Sequence, residues 1–298
     1  MLALSLGGVV AVAHEGPEHE IEELTERIES TGATPDLLVD RALEYGLIGK
    51  HADALNDLER AVSLDPTHLA ALRELARQQV ATRESEKALE TLGRALRLRI
   101  MAPVDRGGLH IQRAEVLLAA HRYREALEDC DAALHCHREN PEWYLLRSDL
   151  QALLGLHRRR IAGLAEGLER TGAGVLETER LDALLDAGKF REALPGIEAG
   201  LATSRVTCRW LVRRGRAFAG MGRKEEGAAD LHAALAELAT LLRAARPDPT
   251  WYRDQAAAQL ALGDRDAARR TLDTVRAIQG HSDVAARIEV MIGARTPG

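Results

Sequence analysis

The sequence predicts an all-α fold, a solenoid of about seven helical hairpins with a capping helix at each end. Three observations predict it: an interior that must be aliphatic, a short stretch that recurs along the chain, and glycines and prolines that fall between the copies. Of 298 residues 46% are hydrophobic but only 3% aromatic, so Leu and Ala must supply most of the core, which suits packed helices. At this length two globular domains are the ordinary expectation, unless the chain is an array in which each unit packs only on its neighbours.

The chain opens on "MLALSLGGVVAVA", apolar throughout and ending in Ala11-Val12-Ala13, the small-x-small form of a signal-peptidase site. Residues 1–13 are therefore expected to be a signal-like segment, although no Lys or Arg precedes the apolar run. The segment is too short for the roughly 20 residues that cross a bilayer. Cleavage before His14, export to the periplasm or beyond, and a mature chain with no stable membrane span follow as expectations. Residues 14–34 read as an acidic leader and a first helix, "PEHEIEELTERIES", with Ile21, Leu24 and Ile28 on one face.

Residues 35–281 hold the repeats. The stretch "GKHADALNDLERAV" from Gly49 returns as "RESEKALETLGRAL" from Arg83, "HRYREALEDCDAAL" from His121, "GLHRRRIAGLAEGL" from Gly155 and "GKFREALPGIEAGL" from Gly188. It returns twice more, as "GRKEEGAADLHAAL" from Gly222 and "GDRDAARRTLDTV" from Gly263. The residues aligned with Ala54 are Ala88, Ala126, Arg160, Ala193, Gly227 and Ala268, at spacings of 34, 38, 34, 33, 34 and 41. Ala61 aligns with Ala95, Ala133, Gly167, Gly200, Ala234 and Val275, and Leu58 with Leu92, Cys130, Leu164, Ile197, Leu231 and Leu272. Small, large, small at this spacing lies on one helix face, and the small residues let a second helix approach closely.

That second helix precedes each copy. Ala42, Ala76, Ala114, Ser148, Gly215 and Ala256 are its small contact residues, with Leu181 alone bulky. Gly49, Gly155, Gly188, Gly222 and Gly263 stand between paired helices, where the left-handed conformation ends a helix. Pro66, Pro103, Pro141 and Pro249 fall between hairpins. Residues 282–298 close the chain with "SDVAARIEVMIG", whose Val284, Ile288 and Met291 share a face, and a short tail.

A helix-turn-helix period of this length resembles the tetratricopeptide repeat family, from about Pro35 to Gln279 and most closely in "YGLIGKHADALNDLERAVSLDP". The resemblance implies a right-handed superhelix whose first helices line a concave surface able to hold a peptide or partner helix. Two departures, Arg160 at a small-residue position and Pro195 inside a second helix, predict irregular hairpins between Pro141 and about Thr207. The longer spacings predict edge loops near "MAPVDRGG" and "LLRAARPDPT". Arginine recurs on five first helices, as Arg41, Arg113, Arg147, Arg180 and Arg214, where the family has a packing Leu; a repeated ion pair between units is expected.

The motifs of enzymatic chemistry are missing: there is no Gly-rich phosphate loop after a strand, no Gly-x-Ser-x-Gly, no His-Glu-x-x-His and no paired CxxC. No catalytic residue and no cofactor is therefore predicted. A net charge of −6 with one compact basic run, Arg158 to Arg160, argues against nucleic acid as a partner. Cys130 and Cys136 lie about 9 Å apart along one helix, too far for a disulfide, so free thiols are expected. In "CDAALHCHREN" the thiols read as core residues and the histidines as exposed residues near a helix C-terminus.

Function is then carried by surface. Helical periodicity places Arg73, Arg77, Glu115, Asp149, Asp182, Arg216 and Arg253 on the outward face of the first helices, a groove basic near both ends and acidic in the middle. The expectation is a non-enzymatic scaffold or adaptor that binds a protein or peptide partner there. The alternative is an exported metal-handling protein that uses a mature His14 terminus with His19, the repeats serving as a platform.

Overall fold

The computed structural model describes residues 16–99, 101–278 and 282–293, and its sixteen elements are all α-helices. Residues 1–15, and with them the signal-like segment and His14, lie outside the described residues. Helix α1 (Pro17–Thr31) precedes three hairpins, α2/α3 (Pro35–Leu47, His51–Leu64), α4/α5 (Leu69–Ala81, Ser85–Leu96) and α6/α7 (Pro103–Ala119, Tyr123–Cys136). Four more follow: α8/α9 (Pro141–Leu153, His157–Thr171), α10/α11 (Gly174–Asp186, Phe190–Thr203), α12/α13 (Cys208–Gly220, Lys224–Leu241) and α14/α15 (Thr250–Ala261, Arg265–Arg276). Helix α16 (Ser282–Gly293) ends the described chain. The chain divides into two compact units between His137 and Arg138.

Each hairpin closes on its small residues. Ala54, Ala88, Ala126, Ala193 and Ala268 have no exposed surface, nor do the large residues Leu58, Leu92, Cys130 and Ile197. In α12/α13 the contact is backbone on backbone, for a Cβ added to Gly227 would stand 2.7 Å from the Gly215 carbonyl oxygen. The bulky Leu181 is accommodated from across the hairpin: a Cβ on Gly196 would lie 2.9 Å from Leu181 Cδ2. Pro195 does not delay its helix. Helix α11 starts at Phe190 and runs through to Thr203, with Ala193 and Ile197 buried on either side of the proline. Packing of that face outweighs the one helical hydrogen bond that Pro195 cannot donate, and α8 to α11 form two complete helix pairs.

The added residues at "MAPVDRGG" are helix, not loop. Pro103 sits in the first turn of α6, with Asp105 behind it, a favourable helix start that lengthens α6 to 17 residues. Arg106 ties this turn back to the preceding hairpin by donating to the carbonyls of Leu96 at 2.8 Å and Leu98 at 2.7 Å. The second insertion is a loop between α13 and α14, as the spacing indicates.

The recurring arginines pair within hairpins, not between them. Arg41 donates to both oxygens of Asp57 at 2.7 Å, Arg113 to both of Asp129 at 2.6 and 2.7 Å, and Arg214 to both of Asp230 at 2.7 and 2.8 Å. In each pair the aspartate lies 16 residues beyond the arginine. Arg41 precedes the contact residue Ala42 and Asp57 follows Ala54, so both flank the same close approach, and this proximity sets the pairing. Where glycine replaces the aspartate the arginine turns elsewhere: Arg147 donates to the Gly163 carbonyl at 3.3 Å, and Arg180 to Glu177 at 2.8 Å. The two hairpins without the arginine have a threonine–glutamine bond instead, Thr91 to Gln79, buried, and Thr271 to Gln259, half-buried, both 2.9 Å.

One backbone feature recurs at every hairpin turn. Gly49, Gly155, Gly188, Gly222 and Gly263 have φ between 67° and 85°, as the sequence predicts, but the same turn position in α4/α5 and α6/α7 is Arg83 at 65° and His121 at 59°. A non-glycine residue there bears roughly 1–2 kcal/mol of strain, against about 0.5–1 kcal/mol of extra chain entropy for glycine. Arg83, exposed on this turn, is the cleaner test. Arg83→Gly is expected to raise stability by about 0.5–1 kcal/mol in urea unfolding; a loss of stability would show that the turn is not strained.

Candidate functional site

The seven groove residues fall into two sets that differ in environment. In the first unit Arg73 and Arg77 lie one turn apart on α4, both exposed, and Glu115 is exposed on α6. Arg77 Nε donates to Glu74 at 2.6 Å along its own helix, while the Arg73 carbonyl accepts from Gln112 Nε2 of α6 at 3.1 Å. Val80 continues the face of Arg73 and Arg77 and is 41% exposed, and Leu47, near the end of α2, is 72% exposed. This surface therefore offers guanidinium groups beside uncovered aliphatic side chains.

In the second unit the equivalent side chains bond to one another or to charged neighbours. Asp182 of α10 accepts from Arg213 of α12 at 2.7 and 3.0 Å, and Arg216 reaches it at 3.4 Å. Arg216 also donates to Asp186 at 2.7 Å, and Arg253 of α14 donates to Glu179 of α10 at 3.0 Å. Asp149 of α8 accepts from Arg287 of α16 at 2.6 Å. Arg160, the departure from the small-residue pattern, is buried here. It donates to Ser148 at 3.0 Å and Asp186 at 2.7 Å, and lies 3.6 Å from Glu179. A long side chain fits at this helix contact because Ser148 opposite is small and two carboxylates from the next hairpin meet its head.

Electrostatics follow from this arrangement. Burial alone would raise the Asp182 carboxyl, but Arg213, Arg216 and Arg253 hold it down at about 2. Burial pushes Asp254 and Asp149 up, against the pull of their arginine neighbours. Asp254 Oδ2 is buried without a hydrogen-bond partner, and the nearest paired guanidinium, that of Arg253, stands 3.9 Å from the other oxygen.

Sequence periodicity placed Asp149, Asp182, Arg216 and Arg253 on one face, and the structure brings all four into this network. It did not single out Glu179, Asp186, Arg213, Asp254 or Arg287. The available signal was Arg160, a misfit that needs carboxylates nearby. Among the described residues no group of three or more His, Cys, Asp or Glu side chains could hold a metal ion. None of the three cysteines forms a disulfide, Cys130 and Cys208 being buried and Cys136 half-buried, while His135 is exposed. Burial pushes the Cys208 thiol up to about 11. No described helix is long and apolar enough to cross a membrane.

Comparison with known proteins follows the same lines. A tetratricopeptide repeat family model matches residues 49–99. A tetratricopeptide repeat protein from Parabacteroides merdae ATCC 43184 has the same fold at a TM-score of 0.60 and 15% identity, over 92% of this chain and 99% of that one. YrrB, described as a tetratricopeptide repeat protein with an unusual peptide-binding site, aligns at a TM-score of 0.50 and 17% identity, over 60% of this chain and 91% of its own. None of the curated proteins compared matches the chain.

The network yields a pH test. A carboxylate with a depressed pKa stabilises the fold above its unfolded pKa of about 4, and that stability is lost as pH falls toward the folded value. Asp182→Asn is expected to lower stability by about 3–5 kcal/mol at pH 7, because Arg213 is left buried with its charge uncompensated. In urea unfolding the gap between variant and parent should narrow as pH falls from about 4 toward 2; a gap that is small at pH 7 or independent of pH would contradict this account.

Proposed function

We propose that this chain, a tetratricopeptide repeat protein, is a non-enzymatic scaffold that binds a protein or peptide partner, and that the partner lies on the α2, α4 and α6 face of the first unit. The observation that carries this reading is the contrast between equivalent positions. In the second unit Asp182, Arg216 and Arg253 are engaged with each other and with their neighbours, so a ligand must break buried ion pairs to use them. In the first unit Arg73, Arg77 and Glu115 are exposed, with Leu47 and Val80 uncovered.

Exposed aliphatic surface supplies affinity in such a contact, and flanking charge supplies specificity and association rate. Two arginines on one helix face suit an acidic or carboxylate-bearing segment. The peptide-binding site described for YrrB supports a peptide ligand on a related fold.

The test is a double substitution, Arg73→Glu with Arg77→Glu, assayed against an array of acidic peptides. Binding is expected to fall at least about tenfold and the loss to shrink in high salt, with helical circular dichroism unchanged. Unaltered binding by a folded double variant would remove the first unit's face from the reading.

A further inference from the structure

The inner network of the second unit contains one charge that its hairpins do not provide. Five carboxylates are ion-paired in it, those of Asp149, Glu179, Asp182, Asp186 and Asp254. Four of the guanidinium groups that meet them, on Arg160, Arg213, Arg216 and Arg253, come from α9, α12 and α14. The fifth is Arg287 of α16, whose Nη2 donates to Asp149 Oδ2 at 2.6 Å across 138 residues of chain and whose Nη1 lies 3.7 Å from Glu179 Oε1.

Asp149 is the carboxylate of the set that relies on α16 for its ion pair. Glu179 is also met by Arg160 and Arg253, and Asp182 by Arg213 and Arg216, whereas Arg287 alone ion-pairs with Asp149 among the described residues. Without α16 the network carries one carboxylate in excess, and the excess sits at Asp149. The contact lies toward the rim of the network, with the Arg287 side chain 37% exposed against 4% for Arg213 and 7% for Arg160. It can therefore open while the inner pairs stay closed.

The rest of α16 binds as a ligand would. Val284, Ala285 and Ile288 are buried in a cluster with Tyr252, Ala256, Leu272 and Val275 of α14 and α15. At its edge Arg276 pairs with Glu289 at 2.9 Å, and Arg265 donates to the Ile292 carbonyl. A helix of 12 residues has little stability of its own and holds its conformation through these contacts, so its release is a local event.

We propose that Asp149 and Glu179 form an arginine-binding site that α16 fills in cis, which makes the C-terminal helix an internal competitor for a partner helix that presents arginine beside an aliphatic face. The partner's pattern is that of α16 itself: two adjacent apolar residues, then arginine two positions on, then a further apolar residue. This site is independent of the face assigned to peptide binding in the first unit, and it stands or falls separately.

The experiment uses the full chain and a labelled peptide with the sequence of Ser282–Gly293, read by fluorescence anisotropy beside the same peptide with alanine in place of arginine. Arg287→Ala weakens the resident helix, so this variant is expected to bind the arginine peptide about tenfold more tightly than the parent chain does, and the alanine peptide about tenfold more weakly than the arginine peptide. Adding Asp149→Asn to Arg287→Ala should abolish the difference between the two peptides. Hydrogen exchange should show α16 amides losing protection in Arg287→Ala while α8 to α14 keep theirs. Arg287→Lys, which retains the charge and guards against misfolding of the alanine variant, should give the same ordering with smaller ratios. The proposal is overturned if the folded variants bind neither peptide, if they bind both equally, or if α16 keeps its full protection in Arg287→Ala.

Discussion

The structure depends on the close approach of the two helices in each hairpin. Where Ala42 meets Ala54, or Gly215 meets Gly227, the space between the backbones admits little more than a methyl group or a hydrogen. Such tight packing tolerates few side chains, which is why small residues stand at both positions in five of the seven hairpins despite otherwise divergent sequence. It also fixes what lies beside it. The arginine just before the first small residue and the aspartate just after the second are brought face to face, and three hairpins use this to hold a bidentate ion pair. Leu181 shows the constraint from the other side, since its bulk is matched by Gly196 across the hairpin.

Breaking the rule at one hairpin has consequences for the whole second unit. Arg160 occupies a small-residue position, and its charge, buried between α8 and α10, must be compensated. Glu179 and Asp186 do this, and each in turn contacts an arginine of a later hairpin. The result is a chain of alternating charge along the inner helices that leaves the face of the unit occupied. The first unit has no equivalent of Arg160, with Ala88 and Ala126 at the matching positions, and Arg73, Arg77 and Glu115 on its face remain exposed.

Much of this was legible in the sequence because it is local. The small-large-small face, the hairpin glycines at Gly49 or Gly263 and the boundaries set by Pro35 and Pro141 each depend on residues a few positions apart. The left-handed turns at Arg83 and His121 carried no such mark, since only the matching position in the other hairpins reveals them. The arginine row was visible, but whether Arg41 reaches across its own hairpin or to the next one is decided by side-chain direction around the helix contact. Arg287 was hidden altogether. Its partner Asp149 is 138 residues away, and only the folding of the second unit brings the two together.

The claim that small residues at the hairpin contact hold the fold together is tested most directly by comparing two leucine substitutions on α7. Ala126 has no exposed surface, whereas Glu128, two residues on, faces solvent. Thermal and urea unfolding should show Ala126→Leu losing about 1–3 kcal/mol, from the branch forced into a contact with no room for it, while Glu128→Leu stays within about 0.5 kcal/mol of the parent. Equal effects from the two substitutions, or a stable Ala126→Leu, would contradict the account.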